Sequence, residues 1–88
     1  MDAMIPTREP VDATDRYIGG RLLARRIGLG LDLAAVADAG ALTLRELAAI
    51  EAGEAKVYVA TLWRLSLALK TDLSDLLPPS PTGVIGRA

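Results

Sequence analysis

Hydrophobic positions recur at helical spacing through most of the chain and predict five short helices. Thr14 or Asp15 caps the first, in which Ile18, Leu22 and Leu29 share one face and Gly28 and Gly30 end the helix. Asp32 caps a second over LAAVADAG, closed by Gly40. Thr43 with Glu46 three residues later forms a capping box at the start of a third, LRELAAIEAG. There Leu47 and Ile50 point inward and Gly53 stops the helix. A fourth runs from about Val57 to Lys70, with Val59, Leu62, Leu65 and Leu69 facing the core. Thr71 caps a last helix, DLSDLL, before Pro78 and Pro79. Residues 1–13 and 78–88 carry prolines and no period, and are expected as flexible tails around one domain, 14–77.

Composition supports an all-α chain. Among 88 residues there are 15 Ala and 15 Leu, which favour helices, whereas aromatics make up 3% and Phe is absent. With no Cys and no His, the chain lacks a thiolate nucleophile, a disulfide framework, the usual metal ligands and the commonest general base. No enzyme, metal or cofactor is expected. The longest apolar run is far short of the roughly 20 residues that span a bilayer. The first residues lack a basic-then-apolar signal layout, so a cytoplasmic protein without a membrane is expected.

Net charge is −1, but its distribution is uneven. Residues 16–30 hold four Arg and no acid, whereas residues 31–55 hold five acids and one Arg. The second and third helices are separated only by Gly40, Ala41 and Leu42. A tight turn before an N-capped helix is the helix-turn-helix arrangement, in which the second helix protrudes into the major groove of double-stranded DNA.

Residues 18–77 resemble the Cro/C1-type (XRE-type) helix-turn-helix domain of bacterial and phage regulators. The resemblance rests on Ile18-Gly19, Arg21-Leu22, Gly30-Leu31, Val36-Ala37, Leu42, Thr43, Leu47, Ile50-Glu51, Gly53, Leu62, Leu65, Ala68-Leu69, Leu73-Ser74 and Leu76-Leu77. It implies a compact lambda-repressor-like bundle. Function is then transcription regulation as a dimer, usually a repressor, on a pseudo-palindromic operator. By the same resemblance Leu44, Arg45, Ala48 and Ala49 occupy the base-facing positions of the recognition helix, and Leu33 stands where the family carries a phosphate-binding Gln. Arg26 and Glu51 occupy positions that commonly meet in a partly buried salt bridge. The turn is Gly40-Ala41 where the family has Ala-Gly.

Read as residues, Arg45 is the only long donor on that helix face, suited to a guanine edge or to a phosphate, or else to a neighbouring acid. Leu44, Ala48 and Ala49 can touch thymine methyls or form a surface for another protein. Thr43 is a cap whose helix end can also meet a phosphate. Arg21, Arg25 and Lys56, with Arg16 behind them, are the other phosphate candidates. Leu23 with Ile27, and Trp63 with Leu67, form apolar pairs one turn apart outside the core stripe, and are expected at a homodimer interface. A second reading of the same fold is a protein-interaction module, an antitoxin or anti-activator.

Overall fold

A computed structural model describes residues 10–79. Of the expected tails, residues 1–9 and 80–88 lie outside this part. The described residues form five helices and no strand: α1 (Ala13–Gly28), α2 (Leu33–Ala39), α3 (Leu44–Glu51), α4 (Val59–Ala68) and α5 (Leu73–Leu76). Gly30 (φ 68°) and Gly53 (φ 77°) take the left-handed conformation just beyond α1 and α3.

The core unites every helix. Ile18 and Leu22 from α1 meet Val36 and Ala37 from α2, Leu47 and Ile50 from α3, Leu62 and Leu65 from α4 with Leu69 just after it, and Leu76 from α5. Two expected core residues are not there. Leu29 lies beyond α1 as its C-cap, and is exposed. Val59 is 75% exposed, because α4 begins at Val59 rather than Val57 and its first turn faces outward.

The caps of α3 are as expected: Thr43 Oγ1 accepts from Glu46 N at 3.0 Å, and Glu46 Oε1 accepts from Thr43 N at 2.8 Å. At α1 the cap is Asp12 rather than Thr14 or Asp15. Asp12 Oδ1 accepts from Asp15 N and Asp15 Oδ2 accepts from Asp12 N, both at 3.0 Å, so a second capping box starts α1. Likewise Asp72, not Thr71, precedes α5.

Asp15 is also a brace. Buried in the first turn of α1, its carboxylate accepts from Val57 N and from Lys56 Nζ, each at 3.1 Å, tying the start of α1 to the loop after α3. Burial alone would raise its pKa. The amides of Asp12 and Val57 and the Lys56 ammonium outweigh that, and lower it from 3.8 to about 2.

A second brace joins α1 to the end of α3. Arg26 Nε and Nη2 donate to Glu51 Oε2 and Oε1 at 2.7 and 2.9 Å, and Nη1 donates to Leu31 O at 3.0 Å. Both side chains are largely buried. Glu51 pushes the guanidinium pKa up against the burial that opposes it. Elsewhere along their contact α1 and α3 nearly touch: a Cβ on Gly19 would collide with the Ile50 carbonyl oxygen.

The inverted Gly40-Ala41 turn has a steric cause. A Cβ on Gly40 would lie 2.7 Å from Leu65 Cδ2, a fully buried side chain. Ala41 therefore takes the left-handed role (φ 59°), which for a side chain costs about 1–2 kcal/mol. Arg64 Nε donates to Gly40 O at 3.1 Å and holds the turn from α4.

Three stability outcomes follow from these contacts, each read by urea or thermal denaturation. Ala41→Gly raises stability by about 1 kcal/mol, whereas Gly40→Ala lowers it by about 1–3 kcal/mol through overpacking at Leu65. Arg26→Ala and Glu51→Ala each cost about 3 kcal/mol by stranding a buried charge. Equal melting of parent and Arg26→Ala would contradict this role. Finally, the lowered Asp15 pKa means its contribution is complete above the ordinary carboxylate value and is lost as pH falls from about 4 through about 2. Replacement by Asn removes that part of the acid dependence.

Candidate nucleic-acid interface

Only Gly40, Ala41, Leu42 and the cap Thr43 separate α2 from α3, and both helices bury their inner sides, Val36 and Leu47 among them, in the shared core. Burial of Leu47 and Ile50 orients α3 and thereby fixes which residues look out. Leu44 is 51% exposed, Arg45 and Ala48 are exposed, and Ala49 is half-buried. Arg45 has no ion pair or hydrogen bond among the described residues, whereas Glu46 is folded back onto the Thr43 amide. The guanidinium is the one long side chain on this face available to a partner.

Beside α3 runs an open groove of about 740 Å³. Thr43, Arg45, Ala49 and Lys56 line it, together with Glu54 and Tyr58, which sequence reading had not assigned there. Periodicity gives no sign of a groove formed between a helix and the following loop. Lys56 reaches this edge already paired with Asp15 at 3.1 Å and Asp12 at 3.6 Å.

Other expected contacts lie elsewhere. Leu33, at the start of α2, is half-buried and packs on the core. Arg25 Nε and Nη2 donate to the carbonyls of Leu69 and Lys70 at 3.0 Å, satisfying the end of α4. Arg21 Nε donates to Asp75 O at 3.4 Å. The two side chains thus turn toward α4 and α5, and Arg25 belongs to a separate polar pocket with Lys70 and Asp72. Both residues are nonetheless exposed. Leu23, Ile27, Trp63 and Leu67 are all exposed, and Val59 extends the α4 pair into a stripe of three residues one turn apart.

Among the described residues no cluster of three His, Cys, Asp or Glu side chains is placed to hold a metal ion. No described helix is long and apolar enough to cross a membrane.

No protein-family model and no curated protein matches the chain. Solved structures do. The clp gene regulator ClgR from Corynebacterium glutamicum superposes with a TM-score of 0.71 at 24% identity, over 76% of this chain and 71% of that one. The restriction-modification controller protein C.AhdI from Aeromonas hydrophila gives 0.67 at 24% identity, over 70% and 94%. An HTH_3 family transcriptional regulator from Vibrio cholerae gives 0.66 at 30% identity, over 72% of this chain but 35% of its own. The fold also forms part of an enzyme: hydroxypropylphosphonic acid epoxidase from S. wedmorenis matches with a TM-score of 0.68 at 30% identity, over 75% of this chain and 35% of that one. The helix order, the short α2–α3 turn and these likenesses give residues 13–76 a five-helix helix-turn-helix fold.

Proposed function

We propose that this chain is a DNA-binding transcriptional regulator, acting in the cytoplasm as a dimeric repressor that seats helix 43–52 in the major groove of a pseudo-palindromic operator. The carrying observation is the outward face of α3, where an unpartnered Arg45 stands among Leu44, Ala48 and Ala49 on a helix braced from behind by Arg26–Glu51. Two of the similar structures are named as regulators and a third as a controller protein, which supports the same reading. Arg45 bonds a guanine edge, and Thr43 and Lys56 flank it toward the phosphates. Leu23, Ile27, Trp63 and Leu67 pair two subunits, whose half-sites lie about one helical turn apart.

One observation favours a second reading, in which the same face takes a segment of another protein. The groove beside α3 is lined by apolar Leu42, Ala49, Ile50 and Tyr58 together with the acids Glu46 and Glu54, a poor match to polyanionic DNA.

Retardation of a pooled random duplex library at low salt separates the two. The regulator reading expects enriched inverted repeats holding two subunits per duplex, with a shallow salt dependence because few cations reach the interface. Arg45→Ala then costs about 1–3 kcal/mol on the enriched site and relaxes preference at one position per half-site. Absence of any enriched sequence, with a protein partner lost on Leu44→Glu, supports the second reading instead.

A further inference from the structure

Val11 stands just before the Asp12 cap of α1, apart from the hydrophobic core, and is half-buried. Its side chain lines the open groove beside α3, so the chain enters the fold along a wall of that groove. Apolar Leu42, Ala49, Ile50 and Tyr58 share the lining, and Tyr58 is 53% exposed. Apolar surface gathered in this way fits a docked segment. Two of the four charged lining residues are committed within the fold, Glu46 to the Thr43 amide and Lys56 to Asp15. The other two, Arg45 and Glu54, have no ion pair among the described residues.

Nine residues, MDAMIPTRE, precede Pro10, and their chemistry matches what the groove leaves open. Met4 and Ile5 are adjoining apolar side chains, and Arg8 is a cation three positions before Val11. Ile5 lies six positions before Val11, a stretch that reaches up to about 20 Å when extended. The eight residues of α3 cover only about 12 Å, so reach is not limiting. Tethering at the wall puts the segment's local concentration on the millimolar scale, and a weak contact suffices to seat it. We infer that residues 1–9 are the occupant of this groove, with Met4 and Ile5 on its apolar lining and Arg8 paired with Glu54. Arg45 and Ala49 line the groove and also belong to the outward side of α3. The seated segment therefore covers part of the face that an outside partner needs, and acts as an intramolecular competitor for it. That competition, though not the contact itself, rests on the docking role proposed for α3.

The sequence contains no Cys, so an introduced pair is the only one that can close a disulfide within the chain. Ile5→Cys is combined in the full chain with Ala49→Cys or with Thr61→Cys, both in the groove, and with Gly20→Cys as the control. Gly20 is exposed, has open space where its Cβ would stand, and lies eight positions after the Asp12 cap, about 12 Å along α1. An undocked segment reaches it equally well. With helicity checked by circular dichroism, the groove pairs are expected to close about tenfold faster than the control in dilute protein, because a seated segment holds the two thiols together. Arg8→Glu slows closure of the Ala49 pair, and adding Glu54→Arg restores it. Equal rates for all three pairs overturn the inference, whatever α3 binds. Removal of residues 2–9 is expected to raise affinity for the enriched duplex several-fold, by the inverse of the uncovered fraction. Unchanged affinity overturns the competition, whereas a library with no enriched sequence overturns the DNA-reading function and leaves the cross-linking result standing.

Discussion

The guanidinium of Arg26 spends three of its nitrogens on two other parts of the chain, and the placement of α3 depends on that. Two go to Glu51 at the end of α3 and one to the Leu31 carbonyl in the link between α1 and α2. A charge pair taken out of water repays its desolvation only when its geometry is complete. Here the fork meets both carboxylate oxygens and the remaining nitrogen finds a carbonyl. The contact joins α1, the α1–α2 link and α3 at one point, so the angle at which α3 leaves the bundle is set by a directional interaction as well as by apolar packing. Asp15 does the same at the other end of α1, where it holds the loop that follows α3.

This arrangement also accounts for the uneven charge. Residues 16–30 look like a basic strip in the sequence, yet in the folded chain three of its four arginines are turned inward or sideways. Arg26 neutralises Glu51, and Arg25 and Arg21 close carbonyls near α4 and α5. Lys56 is held by acids of α1. The cationic side chains thus serve the fold first. The outward face of α3 keeps a single unpaired cation, which is why carbon carries so much of its chemistry.

Much of the fold was legible because its signals are local. Thr43 and Glu46 announce α3, and the spacing of Leu47, Ile50, Leu62, Leu65 and Leu69 marks their buried sides, since neighbours three and four apart share a face. The family resemblance pointed to Leu44, Arg45, Ala48 and Ala49 as the outward residues; the first three are exposed and Ala49 is half-buried. The Asp12 box escaped notice because Asp15 takes the third position where Glu or Gln is the usual signal. Val59 fits the period of α4 but lies in its first turn, beyond the reach of the core. Arg25 with Leu69 and Lys56 with Asp15 could not be read at all: these partners are 44 and 41 residues apart, and nothing local encodes them.

The close crossing of α1 and α3 at Gly19 has a bearing on what can dock here. With the Ile50 carbonyl lodged where a methyl would otherwise stand, α3 packs directly on the backbone of α1, a contact that resists sliding or rolling. A helix so confined loses little conformational entropy on docking, and it also cannot re-aim itself toward an ill-fitting ligand. The burden of adjustment shifts to the other molecule. Were the partner the duplex proposed above, that would mean bending or groove-width energy that varies with base sequence, and the stiffness of the DNA itself would become part of the selection.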